Sequence, residues 1–93
     1  MKAIWKDTVI AESDETVIVE GNHYFPPESI YSQYFRDSEE HSVCIWKGTA
    51  SYYDILVNGE VLEGGAWFYP EASPAAKRIE GYIAFWRGVR VVP

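Results

Sequence analysis

In Ser42-Val43-Cys44-Ile45-Trp46-Lys47-Gly48 the only cysteine of the chain stands two residues from a tryptophan and three from a lysine. A thiol, an indole and an ammonium group in one place can carry nucleophilic chemistry, hold a ligand by stacking and charge, or fill a core and its rim. On a strand, an offset of two puts Cys44 and Trp46 on one face and Val43, Ile45 and Lys47 on the other. Cys44 and Trp46 could then line one cleft, with Lys47 curling back from a turn at Lys47-Gly48. A thiol exposed beside Lys47 or a histidine would have a lowered pKa and serve as nucleophile or redox sensor. A sealed one would be a small hydrophobe.

The two histidines are His23 and His41. His41 lies three residues from Cys44, an offset that places the two side chains on opposite faces of a continuous strand, so a dyad between them needs the chain to leave the strand near Ser42. His23 can supply a base from another strand, which makes Cys44 with His23 the catalytic candidate. A closed structural zinc site takes four ligands, and one cysteine with two histidines would have to borrow a carboxylate. No metal site and no cofactor is therefore expected. The larger signal is aromatic: Trp46, Trp67 and Trp86, with Tyr24, Tyr53 and Tyr69, lie in or beside strands that the fold must bring together. Most should be core, because aromatic side chains dominate small cores. A surplus could line a cleft for a planar or cationic ligand. Asp54, in mid-strand beside Tyr52 and Tyr53, is a carboxylate that needs a partner if buried, with a tyrosine hydroxyl, Lys47 or Arg87 as candidates. Trp46, Lys47, Tyr53, Asp54, Trp67 and Tyr69 are thus the ligand-binding candidates.

The elements that must position these groups are mostly strands. Thr8–Ala11 and Thr16–Glu20 are rich in β-branched residues and separated by a polar cluster, Glu12 to Glu15, which predicts a hairpin. With Ala3-Ile4-Trp5 they would open the chain as a three-stranded meander. Pro26-Pro27 changes the geometry, and Ile30, Tyr31, Tyr34 and Phe35 share one face of a helix over Glu28–Phe35. Arg36–Ser42 is polar and reads as a surface loop. Val43–Trp46 and Thr49–Val57 follow as strands, and Asn58-Gly59 is a type I′ hairpin signal leading to Glu60-Val61-Leu62. Gly64-Gly65 allows a bulge before Ala66–Tyr69, which Pro70 ends. Ser73-Pro74 reads as the N-cap and first turn of a helix to about Glu80. Tyr82–Trp86 and Val89–Val92 read as a closing hairpin. The architecture expected is mainly β, at the margin of α+β: an antiparallel sheet or partly closed barrel of about eight short strands with two short helices.

The 93 residues suit one domain, residues 1–93, with one core. A hydrophobic share of 47% and an aromatic share of 16% set the chain apart from disordered sequences. The net charge of -6 opposes the phosphates of nucleic acids and of anionic membranes. No apolar run approaches the roughly 20 residues that span a bilayer. One cysteine excludes an intrachain disulfide, and the N-terminal residues lack the apolar core of a signal peptide, so a cytoplasmic location is expected.

His23-Tyr24-Phe25-Pro26-Pro27-Glu28, Cys44-Ile45-Trp46-Lys47-Gly48 with Ala50 and Tyr52-Tyr53-Asp54, Ala66-Trp67-Phe68-Tyr69-Pro70 and Gly81-Tyr82-Ile83-Ala84-Phe85-Trp86 come in that order. In this combination, over nearly its whole length, the chain resembles the small bacterial domain-of-unknown-function family numbered 427. The resemblance implies a compact, mainly β domain and no established activity. The family also carries a nucleotidyltransferase-like label. Polymerase-type nucleotidyl transfer needs paired carboxylates holding metal ions, and the chain has neither a Gly-Ser pair nor a spaced Asp-x-Asp.

The leading functional expectation is a binding domain for a small planar or polar molecule, its cleft built around Cys44, Trp46, Tyr53 and Trp67 with Lys47 or His23 at the rim. Two alternatives stand beside it. One is a cysteine-dependent enzyme with Cys44 as nucleophile and His23 or His41 as base; the other is an interaction module that forms a homodimer through a sheet edge or an aromatic patch.

Overall fold

The computed structural model describes all of residues 1–93. Nine strands follow one another: β1 (Lys2–Trp5), β2 (Thr8–Glu12), β3 (Val17–Val19), β4 (Asn22–Tyr24), β5 (Phe35–Cys44), β6 (Gly48–Val57), β7 (Glu60–Phe68), β8 (Ile83–Phe85) and β9 (Arg90–Val92). They form three antiparallel sheets, β2-β1-β9, β3-β4 and β5-β6-β7-β8. The chain is mainly β, as expected, and no sheet closes into a barrel.

Both expected helices are shorter and tighter than the sequence suggests. Glu28–Phe35 becomes two 3₁₀ turns, Pro27–Ser29 and Ser32–Tyr34, because Ile30 between them takes an extended conformation and bridges to Ala11 of β2. The second expected helix is the 3₁₀ segment Pro74–Ile79, broken at Ala76. Ser73 does not cap it; its hydroxyl donates instead to the carbonyl of Trp46. Arg36–Ser42 is not a loop but part of β5. An edge strand needs little apolar alternation, and the exposed acids Asp37, Glu39 and Glu40 discourage pairing with another chain along that edge.

The two ends of the chain also pair differently from the expectation. The third strand beside β1 is the C-terminal β9, whereas β3 turns back on β4 and β8 pairs with β7. Neither the opening meander nor the closing hairpin forms. Two-residue turns with both residues in the left-handed region close three hairpins: Lys6-Asp7, Glu20-Gly21 and Asn58-Gly59. This is the I′ geometry that matches strand twist, and Asn58-Gly59, at φ of 50° and 80°, is the one its residue types announce.

Side chains alternate across the four-stranded sheet and feed two cores. Ile55, Val57, Ala66, Ile83 and Phe85 pack with Ala3, Ile10 and Ala11 of the three-stranded sheet. On the other face Ala50, Tyr52, Tyr69 and Ala84 pack with Val19 and Tyr24 of the β3–β4 hairpin and with Ala72, Ala76 and Ile79. Phe25 and Ile83 exchange backbone hydrogen bonds of 2.8 Å in each direction, which docks β4 against β8. The small residues Gly48, Ala50 and Ala84 leave room on this second face for large rings.

Candidate functional site

The β5–β6 turn holds three residues, Ile45, Trp46 and Lys47, between the paired Cys44 and Gly48. Trp46 is therefore not on a strand with Cys44. Gly48 leaves the turn at φ 118°, a conformation L side chains rarely adopt, and a Cβ there would stand 3.0 Å from the carbonyl oxygen of Glu71. Backbone bonds from Ser73 to Lys47, at 3.0 Å, and the Ser73 hydroxyl to Trp46 anchor the turn against the chain after Pro70.

That anchoring folds Lys47 inward. Only 6% of its surface is exposed, and it is the one buried charged residue of the protein. Its Nζ lies 4.9 Å from the centre of the Trp46 ring and 5.8 Å from that of Tyr69, distances at which ring faces attract a cation. It donates to Glu20, whose side chain is half exposed in the β3–β4 turn. Burial by itself would lower the lysine pKa, but the hydrogen bond to Glu20, helped by Tyr24 and Cys44, leaves it above the ordinary value. The same hydrogen bond holds the Glu20 carboxyl below its ordinary range. Tyr69 is pushed well up, by burial first and then by Tyr24, Cys44, Tyr52 and Glu20.

Cys44 is half buried and, like Trp67, packs against the second core, which contains Tyr24, Tyr52 and Tyr69. From there the rings continue as a ladder. Tyr24 meets Trp67 edge-on at 6.2 Å and accepts its indole N–H at 3.2 Å, Trp67 meets Trp86 at 5.4 Å, and Trp86 lies 6.1 Å from Tyr52. The Tyr52 hydroxyl in turn shares a 2.8 Å hydrogen bond with Ser42.

The structure thus brings Cys44, Trp46, Lys47, Trp67 and Tyr69 to one face of the sheet. Tyr53 and Asp54 do not join them. Tyr53 alternates to the opposite face, where its ring stacks on Phe68 at 4.6 Å and burial raises its pKa, with Asp37 adding to the rise. Asp54 partners none of the groups expected of it. One carboxylate oxygen accepts the Gly64 backbone N–H at 2.8 Å and the other meets Arg36 at 3.3 Å. Three residues, Glu63 to Gly65, stand opposite Asp54, so it clamps the bulge that Gly64-Gly65 announces. His23 alternates with Tyr24 and so faces away from the Cys44 side, its Nδ1 sharing a 2.9 Å hydrogen bond with Thr16. His41 is bound through Nδ1 to the Glu39 carbonyl at 2.9 Å. Neither imidazole is hydrogen-bonded to Cys44.

Glu20 is the residue that sequence reasoning missed. Its signal was Glu-Gly after the β-branched run Val17-Ile18-Val19, a weaker turn signal than Asn-Gly. No group of three or more His, Cys, Asp and Glu side chains is placed to hold a metal ion, and no helix is long and apolar enough to cross a membrane.

An antiparallel β domain of two cores, with one lysine enclosed among aromatic rings at a hairpin corner, is the class of protein that fold and site define. The chain belongs to the family described as Domain of unknown function (DUF427), whose model matches residues 1–92. No curated protein matches it.

Proposed function

We propose that the domain binds a small planar molecule carrying an anionic group, at the corner formed by Trp46, Lys47, Tyr69 and Glu20. The observation that carries this reading is Lys47 itself: a buried ammonium whose carboxylate partner stands half exposed on a separate hairpin. A buried cation requires a counter-charge, and a ligand carboxylate or phosphate could take the place of Glu20. The ligand ring would lie on Trp46, which keeps 40% of its surface open. In a chain of net charge -6, an anion needs such a local cation to approach at all. Benzoate and phenyl phosphate are suitable probes. Shifts of the Trp46 indole and Tyr69 resonances in an NMR titration, lost in Lys47→Met, are the expected result; no shift with either probe would end the proposal.

A second reading, an interaction module, is favoured by the exposure at the same corner. Val43 and Ile45 expose 79% and 102% of their surface beside Trp46, and contiguous exposed apolar side chains mark contact surfaces. Self-association through this corner would appear as a concentration-dependent sedimentation coefficient that Ile45→Asp abolishes.

A further inference from the structure

The opposite face of β6 carries a second set of groups. Ile55 and Val57 on that face pack beneath the three-stranded sheet, but Ser51 and Thr49, which follow them by alternation, stay outside the core. A hollow of about 320 Å³ opens there, and a neighbouring one of about 240 Å³ shares Ser51 and Pro70 with it. Together they make one trough.

Its shape comes from an irregularity in β5. Asp37 pairs with Tyr53 and His41 with Ser51, so the three residues Ser38 to Glu40 stand against the single Tyr52. Bulges of this kind re-aim side chains at sheet edges. This one is tied internally: the Glu40 N–H donates to the Ser38 hydroxyl at 3.1 Å, and His41 Nδ1 meets the Glu39 carbonyl at 2.9 Å. A carbonyl can only accept, so Nδ1 holds the proton and Nε2 of the neutral ring is left as an acceptor. Ser51 stands directly opposite His41 on one side and Phe68 on the other. Phe68, stacked on Tyr53, forms an apolar part of the lining.

We infer that this trough is a binding site for a neutral polyhydroxylated ring, a monosaccharide unit, held by Asp37, Ser38, His41 and Ser51 against Phe68. The lining contains no lysine or arginine, and Asp37 would repel an anion. It has one carboxylate in the larger hollow, flanked by two serine hydroxyls and an imidazole, a set that mixes donors and acceptors as a sugar ring does. The carboxylate can accept from two adjacent ring hydroxyls, while the aromatic face takes the C–H side of the ring. The volume lies at the lower end of the range of about 300–1,000 Å³ usual for ligand pockets, the size for one ring rather than a chain.

The test is an NMR titration of ¹⁵N-labelled protein with glucose, galactose, mannose and xylose. Sugar is added to about 0.1 M, which saturates any site of millimolar affinity. The expected result is saturable shifts confined to residues 37–41, 49–52, 68 and 71 with at least one of these sugars. Asp37→Asn should weaken binding about tenfold, and Ser51→Ala should weaken it less. Silence with all four sugars overturns the inference, as do shifts undiminished in Asp37→Asn or shifts with putrescine alone, which would make the trough a cation site. Shifts at Trp46 and Tyr69 instead would place the sugar on the other face and overturn it while leaving the Lys47 corner in use.

Discussion

Glu20 and Lys47, 27 residues apart in sequence, form the one ion pair whose cation is buried. The lysine of this pair exposes 7% of its side chain and the glutamate 54%, so removal of each partner has different consequences. Glu20→Gln leaves a desolvated ammonium without its counter-charge and should lower the urea midpoint clearly. Lys47→Met keeps the buried stem and frees Glu20 to hydrate, so it should change stability by about 1 kcal/mol or less. Equal losses in the two variants would show that the lysine charge is not effectively buried.

The same pair fixes the shape of stability against pH. Glu20 and Glu80 are depressed below the ordinary 4.5, each mainly by a lysine hydrogen bond, from Lys47 and Lys77 respectively. Their contribution is complete above pH 4.5 and is lost as pH falls through the folded-state values. Lys47 is raised above 10.5 despite its burial, and Tyr53 and Tyr69 are raised above 10.0 chiefly by burial. What these three contribute is complete below the unfolded-state values and is lost as pH rises through the folded ones. Urea midpoints should therefore be level from about pH 5 to 9.5 and fall on both sides. Glu20→Gln combined with Glu80→Gln should flatten the acid limb and also remove the share of the alkaline limb that Lys47 owes to Glu20, leaving there the part set by Tyr53 and Tyr69.

Which of these relationships could be read in the sequence follows from how local their causes are. Asn58-Gly59 was legible because both residues favour positive φ on their own account. The bulge at Gly64-Gly65 was legible for the same reason, but Asp54 as its clamp was not, since a carboxylate in mid-strand reads equally as a binding group. Arg36–Ser42 misled because composition reports solvent exposure, and an edge strand is as exposed as a loop. The helix over Glu28–Phe35 failed because two 3₁₀ turns around an extended Ile30 also turn Ile30, Tyr34 and Phe35 inward, leaving only Tyr31 of the expected face exposed. Of the site, Lys47, Trp46, Cys44, Tyr69 and Trp67 were legible as residue types near one another. The partner Glu20 depends on how the β3–β4 hairpin docks through Phe25 and Ile83, which no local pattern encodes.

Asp54 as a bulge clamp makes a stability prediction separable from any ligand. Its side chain is 14% exposed and accepts from Gly64 at 2.8 Å. Asp54→Ala should cost about 1.5–3 kcal/mol in urea unfolding, because a charged acceptor is lost and a backbone N–H is orphaned. Asp54→Asn keeps an oxygen for Gly64 and should cost less. A neutral Asp54→Ala would return this carboxylate to the list of binding groups.

Cys44 separates the binding reading from the cysteine-enzyme alternative. The thiol is half buried beneath the corner, and neither His23 nor His41 is hydrogen-bonded to it. With no imidazole to generate the thiolate, iodoacetamide should modify Cys44 more slowly in the folded protein than in the unfolded chain at the same pH. His23→Ala and His41→Ala should leave the folded rate unchanged. A folded-state rate above the unfolded one, reduced by either histidine variant, would make Cys44 an activated nucleophile and displace the binding proposal; a slow rate indifferent to both histidine variants leaves the thiol as part of the packing beneath Lys47.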